Sequence, residues 1–303
     1  MSEIDVNPLQ SIGEEIKVII RMRPLSDREK NPAFIKLSTG LRCWKILPEQ
    51  NAIIQTQNDG ITPVPEKISG RTIFAYDKIF NETSKTTDIY KFAAREIVSD
   101  AVQGRNGSIF AYGQTSSGKT HTMQGSSTIS RNGKEDGFVH LAAVDLFHDI
   151  SQSHERNYTV HASVIEVYNE EVRDLLVDTK RSKTNVLKIR ENTKKGIYVN
   201  AVKKEANSLS KLLKILSSGE KNRIVAKTTL NKRSSRSHLI FCISLESKSS
   251  VKNGNSRPVS TETELSQIST LNLIDLAGSE SVRHRSAHST EKRRKEGGSI
   301  NKR

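Results

Sequence analysis

The sequence predicts an α/β fold of three layers, in which a central, mostly parallel β-sheet carries helices on both faces. One observation behind this prediction is a succession of helix, turn, strand and glycine-rich loop from Ser84 to Thr120. The other is a pair of apolar runs, residues 239–245 and 271–276, with the length of buried strands. Strands that alternate with helical segments favour a sheet built from strand–helix–strand units.

The elements before residue 102 follow from periodicity and breakers. Residues 16–20 form a strand pattern that ends before Pro24, because proline cannot continue a ladder, and residues 73–76 form a second strand. Ser84 is a suitable N-cap for a helix whose apolar side chains recur every fourth residue. Those side chains are Ile89, Ala93, Ile97 and Ala101.

The middle of the chain alternates in the same way. A glycine-rich turn at residues 104–107 leads into a strand at 108–112. Residues 126–137 are polar and aperiodic, which predicts a surface loop, and a helix is predicted over residues 141–147. A strand at residues 160–168 follows.

The remaining elements are one more helix and two strands. A helix is predicted around residues 209–216 and is expected to stop near Gly219, as helices commonly do at a glycine. The strands at 239–245 and 271–276 are separated by residues 249–264, which are rich in Ser, Thr, Asn and Gly and predict a polar loop.

Composition sets limits on location and domain number. No apolar run approaches the ~20 residues that a bilayer span needs, and the N-terminus has no signal-peptide pattern. Cys43 and Cys242 are the only cysteines, so no disulfide framework is indicated. We therefore expect a cytoplasmic protein without a membrane span, with a polar leader over residues 1–15 and one domain over residues 16–303.

The chain is strongly basic. It has 48 Lys and Arg against 34 Asp and Glu, a net charge of +14. Such a charge predicts an acidic partner, which can be nucleic acid, a membrane surface or an acidic protein polymer. Part of the excess lies in a basic run, residues 283–303, for which a solvated loop is the alternative. Its basic residues are Arg283, Arg285, Lys292, Arg293, Arg294, Lys295, Lys302 and Arg303.

A phosphate-binding loop of the form G-x-x-x-x-G-K-[ST] follows the predicted strand at 108–112. Its glycines let the backbone curl so that N–H groups point at phosphate, while the lysine reaches the outer phosphates and the threonine hydroxyl is offered to Mg²⁺. A Gly-Ser turn before a helix is the alternative, but the strand context favours a nucleoside triphosphate site. The loop consists of Gly113, Gln114, Thr115, Ser116, Ser117, Gly118, Lys119 and Thr120.

Two further segments complete the expected site. Asp275 ends a buried strand and Gly278 follows three residues later. In P-loop enzymes an Asp at this place holds Mg²⁺. The segment from Asn231 to His238, which is rich in Ser and Arg, directly precedes the strand at 239–245. An ordinary turn residue is the alternative interpretation of Asp275 alone.

Taken in order, these motifs resemble a kinesin motor domain. The resemblance runs from about residue 15 to the last residue, and a weaker likeness to the centromere-associated subfamily of N-terminal motors rests on residues 245–247 and 295–302. The motifs are Arg21-x-Arg23-Pro24, Phe110 to Met123, Tyr168-Asn169-Glu170 with Asp174-Leu175-Leu176, Asn231 to His238, and Asp275 to Glu280.

The resemblance implies a P-loop ATPase with ATP and Mg²⁺ as cofactors and the microtubule as partner, located on the cytoskeleton, the spindle included. Arg21, Arg23, Pro24 and His121 would border the adenine. Thr120, Ser235 and Asp275 would hold Mg²⁺, the last through water. Asn231 and Ser234 would place the γ-phosphate and its attacking water, Gly278 would sense that phosphate, and Arg236 would pair with Glu280.

The sequence also departs from the family's pattern. Residues 281–294 lack the two glycines expected there, and the chain ends at Arg303, where the family's tubulin-docking helix would begin. We therefore expect an incomplete motor domain that lacks a central strand, and we keep as a second hypothesis a catalytically impaired fragment that binds microtubules. Dimerisation would require a coiled coil, for which no heptads are present.

Two other functions are disfavoured. A GTPase-like switch would carry an Asn-Lys-x-Asp motif for guanine, which the sequence lacks. Nucleic-acid binding is not expected, because the basic residues are not interleaved with aromatic residues that would stack on bases.

Overall fold

The computed structural model describes residues 16–27, 29–30, 44–57, 62–64, 73–126, 135–177, 185–193, 196–225, 236–249 and 266–280. The predicted leader, Cys43, the basic run, Asn231, Ser234 and Ser235 lie outside these ranges. The chain divides into two compact units, Met1–Ser84 and Lys85–Arg303. The single domain expected over residues 16–303 stays a prediction.

Among its described residues, the first unit contains two small sheets. Strand β1 (Ile19–Arg21) pairs in parallel with β5 (Lys78–Phe80). The other sheet is antiparallel and consists of β2 (Trp44–Leu47), β3 (Ala52–Gln55) and β4 (Ile73–Ala75). Trp44 contacts Phe74 edge to face across that sheet, with ring centroids 5.8 Å apart. The strands expected at residues 16–20 and 73–76 are therefore present, each slightly shorter than predicted.

The second unit contains the long elements. Its helices are α1 (Thr86–Ala93), α2 (Arg95–Val102), α3 (Lys119–Gln124), α4 (Phe138–Gln152) and α5 (Leu209–Val225). Its strands are β6 (Gly107–Ala111), β7 (Arg156–Tyr168), β8 (Glu171–Asp174), β9 (Val186–Leu187), β10 (Ile189–Asn192), β11 (Gly196–Val199), β12 (Lys204–Glu205), β13 (His238–Ser249) and β14 (Gln267–Asp275).

The main sheet is mixed, so the α/β class is confirmed but the expectation of a mostly parallel sheet is wrong. The seven strands run in the order β6-β14-β13-β7-β8-β9, with β12 paired to β7. Within this sheet, β6 and β14 are parallel, whereas β13 is antiparallel to both β14 and β7. The long strands β7, β13 and β14 thus lie side by side.

A tight hairpin explains part of this antiparallel arrangement. Strands β7 and β8 are joined at Asn169 and Glu170, whose φ angles are 52° and 64°. Two successive positive φ angles are typical of the type I′ turn, whose twist matches that of a two-stranded ribbon. The motif Tyr168-Asn169-Glu170 therefore has a local structural role as a hairpin turn.

One face of the main sheet is the core. Val164, Phe241 and Leu273 are paired side by side across β7, β13 and β14, and all are buried. Helices α2 and α5 lie on this face, because Ser269 Oγ donates to the Ala101 carbonyl at 2.5 Å and α5 packs against β7. Within the described residues the helices that contact the main sheet lie on this face, and helices on both faces stay a prediction.

Helix ends differ from the predictions. The helix expected from Ser84 is two helices that break at Ala94, which has φ −128°. Ser84 does not cap α1, because its hydroxyl donates to Asn81 Oδ1 at 2.9 Å. Helix α5 continues past Gly219 to Val225. Among the described helices, none is long and apolar enough to cross a bilayer.

Candidate functional site

The glycine-rich loop lies between the end of β6 and the start of α3, as predicted. The φ angles of Gly113, Ser116 and Gly118 are 153°, 67° and 102°. Gly118 and Ser116 thus adopt the left-handed region, which is costly for a serine and is typical of functional loops. The Lys119 ammonium lies over this loop and donates to the carbonyls of Gly113 and Gln114, at 2.9 Å each.

Asp275 joins this loop from the opposite end of the sequence. The Thr120 hydroxyl donates to Asp275 Oδ2 at 2.7 Å, although the two residues are 155 positions apart. The parallel pairing of β6 with β14, which places Asp275 beside Ala111, produces this approach. Burial raises the pKa of Asp275, and the Thr120 hydrogen bond, Arg223 and Lys119 act in the opposite direction.

The Thr120–Asp275 pair fits a Mg²⁺ site. Asp275 is 2% exposed, and its Oδ1 is buried without a hydrogen-bond partner among the described residues. A buried carboxylate oxygen that lacks a donor is costly unless water or a cation satisfies it. Mg²⁺ prefers oxygen ligands, keeps several waters and is held by only one or two protein groups alongside phosphate. The described residues contain no group of three or more His, Cys, Asp or Glu that would hold a metal by itself.

The segment after Asp275 is fastened to the loop. Ser279 N–H donates to the Gly113 carbonyl at 3.1 Å, and Thr115 N–H donates to Glu280 Oε2 at 2.8 Å. The Thr115 hydroxyl also contacts Glu280 Oε1. A Cβ on Gly278 would lie 2.2 Å from Glu280 Oε2, so a larger residue here would displace the Glu280 carboxylate. Glu280 therefore contacts the phosphate-binding loop itself, and its expected pairing with Arg236 stays a prediction.

Sequence reasoning missed a buried ion cluster beside Asp275. Arg223 of α5 is 4% exposed, and its guanidinium lies 3.7 Å from Glu166 Oε1 and 3.9 Å from Asp275 Oδ2. Its Nη2 donates to the carbonyl and the hydroxyl of Ser237, at 3.1 and 3.0 Å. Burial lowers the pKa of Arg223, and Asp275 and Glu166 oppose this.

A sequence signal for this cluster did exist. Arg223 continues the buried stripe of α5, seven residues after the buried Leu216, and Glu166 continues the buried alternation of β7 after Val164. A charged residue on an apolar stripe is informative because such residues are rarely buried without partners. Ending the predicted helix near Gly219 left Arg223 outside it.

Two of the residues expected at the adenine, Arg23 and His121, contact nearby carboxylates. Arg23 donates to both carboxylate oxygens of Glu29, at 2.7 and 2.9 Å. These bonds, with those from Ser26, lower the pKa of Glu29 to about 2. Arg21, Arg23 and Pro24 belong to the first unit, whereas His121 belongs to the second and lies 3.5 Å from Glu135 Oε2. The adenine pocket stays a prediction.

Residues 236–238, which end the Ser-Arg-rich segment, lie next to Asp275. Arg236 is half-buried, Ser237 is fully buried, and His238 begins β13. Ala277 N–H donates to His238 Nδ1 at 3.1 Å, so the start of β13 and the segment after Asp275 are joined. The structure therefore brings together the loop, Asp275, Gly278 and Glu280. The expected roles of Asn231, Ser234 and Ser235 fall outside the described residues.

Comparisons with known proteins agree with this geometry. A family model described as the kinesin motor domain matches residues 21–303. The chain belongs to the kinesin motor domain family. The solved structure of a fast kinesin superposes on this motor domain with a TM-score of 0.73 and 29% identity, covering 94% of this chain and 71% of that one. The kinesin fold, an α/β fold built on a phosphate-binding loop, is thereby established.

Curated relatives are kinesin-like proteins of the KIN-7 group. Kinesin-like protein KIN-7O of Arabidopsis thaliana is 37% identical over 292 residues, 95% of this chain and 20% of that protein. Kinesin-like protein KIN-7D, chloroplastic, of Oryza sativa subsp. japonica is 38% identical over 290 residues, 95% of this chain and 25% of that protein. This kinesin motor domain spans roughly a quarter of the length of such relatives.

Proposed function

We propose that the chain is the nucleotide-binding head of an ATP-hydrolysing microtubule motor. The observation that carries the proposal is the Thr120–Asp275 hydrogen bond, which joins the phosphate-binding loop to the strand end expected to hold Mg²⁺. The fast kinesin that superposes on this chain was described in terms of its ATPase mechanism and its interactions with microtubules. Kinesin membership and this geometry support the same assignment.

In the proposed reaction, the residues position groups and stabilise charge. The Lys119 ammonium, now on the loop carbonyls, would turn to the outer phosphates, and Thr120, Ser235 and Asp275 would hold Mg²⁺. Bound Mg²⁺ supplies neutralisation of the charge that develops on the transferred phosphoryl group. None of the residues assigned to the site is an activated side-chain nucleophile, so water would attack, placed by Asn231 and Ser234, while positioning and electrostatics provide the rate.

The contacts after Asp275 suggest how nucleotide state would change shape. Backbone N–H groups of Leu276 and Ser279 donate to the carbonyls of Ala111 and Gly113, at 3.2 and 3.1 Å. Ala277 is bonded to His238. Movement of the loop on phosphate binding would therefore be transmitted both to the segment carrying Gly278 and Glu280 and to the start of β13. Loops that γ-phosphate orders are a common switching device.

Lys119→Ala tests the site. We expect ATP affinity to fall by roughly 10–100-fold, since a hydrogen bond to a charged group contributes about 1.5–3 kcal/mol. The measurement is titration of the purified protein with a fluorescent ATP analogue. Lys91→Ala, which removes the same charge from an exposed position on α1, is the control and should bind normally. Equal affinity in the Lys119 variant would refute the loop assignment.

The proposed microtubule partner is tested through the basic run. Replacing Arg293, Arg294 and Lys295 by Ala should reduce co-sedimentation with microtubules at low salt more than at high salt, because exposed charges are screened over ~8 Å at physiological ionic strength. The control replaces the exposed lysines Lys85, Lys91 and Lys221, with the same change in net charge. An identical loss in both triple variants would favour a solvated loop. Microtubule binding without stimulated ATP turnover would favour the impaired fragment.

A further inference from the structure

Arg223 contacts parts of the second unit that are far apart in sequence. It projects from α5, and its guanidinium reaches Glu166 in β7, Ser237 just before β13 and Asp275 at the end of β14. Its side chain is 5% exposed. A single side chain with this many polar neighbours fixes the relative placement of all of them.

The two kinds of contact differ in strength. The Nη2 hydrogen bonds to Ser237, at 3.0 and 3.1 Å, have good hydrogen-bonding distances, whereas the carboxylates lie 3.7 and 3.9 Å away. The carboxylates are therefore held by charge and Ser237 by directed bonds. Removing the guanidinium would free the Ser237 contacts and leave both buried carboxylates without this cation.

The strand register explains why both carboxylates reach the same guanidinium. Glu166 and Asp275 each pair with Leu239, on opposite sides of β13, so both lie at the same level of the sheet. Glu166 and Asp275 share the one guanidinium of Arg223, and Lys119 is a second cation that acts on Asp275. Buried carboxylates are costly without such partners.

Ser237 belongs to the Ser-Arg-rich segment, two residues after Ser235, which with Ser234 is expected to face the γ-phosphate and Mg²⁺. Arg223 thus holds the end of that segment against the carboxylate that bonds Thr120. We propose that Arg223 is a positioning residue of the Mg²⁺–nucleotide site, which fixes Ser237, just before β13, relative to Asp275. This inference rests on the proposed nucleotide function.

If Arg223 had a purely structural role, its loss would lower stability without changing the response to Mg²⁺. Arg95 offers the matched case, because it also lies between two carboxylates, bonding Asp149 at 2.6 and 2.8 Å and lying 3.0 Å from Asp145. Its partners are on α4, outside the nucleotide site. Loss of either arginine should lower thermal stability, but loss of Arg223 alone should change the response to Mg²⁺.

The test measures dissociation of fluorescent ADP from the full-length protein as free Mg²⁺ is varied. Arg223→Met should require about 10–100-fold more Mg²⁺ to retain the nucleotide, the usual effect of removing a residue that orients metal ligands. Arg223→Lys should be intermediate, because lysine keeps the charge but cannot make the same forked contacts. Arg95→Met should keep the wild-type Mg²⁺ dependence.

If Arg223→Met does not fold, Ser237→Ala takes its place. That variant keeps the accepting carbonyl and loses the hydroxyl contact, so a smaller shift in the same direction is expected. Unchanged Mg²⁺ dependence in Arg223→Met, or in both Arg223→Lys and Ser237→Ala, overturns the positioning role while the proposed function stands. A wild-type protein that binds no nucleotide overturns both.

Discussion

Glu280 belongs to a recognised motif but makes a contact that the motif does not predict. The resemblance to kinesins implies that Glu280 pairs with Arg236, yet in the structure its carboxylate accepts the N–H of Thr115 at 2.8 Å. That N–H belongs to the loop whose donors are expected to face phosphate. A carboxylate and a phosphate oxygen are both anionic acceptors, so Glu280 and bound nucleotide would compete for this donor.

Replacing Glu280 by Ala should therefore tighten nucleotide binding while slowing turnover. We expect ADP affinity to rise roughly 3–10-fold, less than a full charged hydrogen bond because the displaced carboxylate becomes solvated. Fluorescent ADP titration measures the affinity, and phosphate release measures the turnover. Glu155→Ala, at an exposed position, controls for the change in charge and should alter neither. Weaker ADP binding by Glu280→Ala would contradict the competition.

Motif spacing predicted which residue types define the candidate site, whereas the buried positions of Arg223 and Glu166 indicated only that partners exist and not which ones. Lys119, Thr120 and Asp275 carry motif spacing, which reflects local geometry around a phosphate. Arg223 and Glu166 carry no motif, because their positions depend on which strands become neighbours. That information appears only once β13 lies between β7 and β14.

At the scale of elements, periodicity located the centres of helices and strands better than their ends. Helix α5 was expected to stop near Gly219, because glycine is common just after a helix. It continues because this glycine serves packing. A Cβ there would lie 2.6 Å from the Cβ of Val164, so only glycine lets the helix approach β7 this closely.

Gly219→Ala should therefore destabilise the protein although alanine favours helices. The gain in helix propensity is about 1 kcal/mol, while forcing a methyl into a packed interface costs typically 1–3 kcal/mol. We expect a net loss of roughly 1 kcal/mol, measured by urea unfolding. Val164→Ala in the same chain should recover part of it, so the double variant should be more stable than the sum of the two losses. Additive losses would show that Gly219 acts through something other than Val164.

Distant contacts also decide whether strands pair in parallel, and for this reason a mostly parallel main sheet was wrongly predicted. Alternation of helices and strands along the chain predicted mostly parallel pairing, and it succeeded for β6 with β14. It failed for β7, β13 and β14, because β13 runs antiparallel to both of its neighbours although α5 lies between β7 and β13 in the chain. The Asn169–Glu170 turn was part of a recognised motif, but its twin positive φ angles are a property of the folded hairpin.

At the scale of the molecule, the two faces of the main sheet differ. The face toward α2 and α5 is closed, whereas on the other face Phe110 and Ile268 remain 60% and 69% exposed. Phe110 lies in β6, which ends the sheet within the described residues. Exposed apolar side chains beside a terminal strand are a ready template for association.

The 303-residue chain, expressed by itself, should therefore self-associate through this side of the sheet. Burying a Phe side chain contributes about 1.5–3 kcal/mol, so Phe110→Ser should weaken association by roughly tenfold or more. Analytical ultracentrifugation over a range of concentrations measures this, and a hydrophobic dye should bind the unchanged chain more than the variant. Phe92→Ser removes another Phe, 46% exposed on α1 away from the sheet edge, and should leave association unchanged. A chain that stays monomeric at high concentration, or equal effects of the two substitutions, would mean that this face does not drive association.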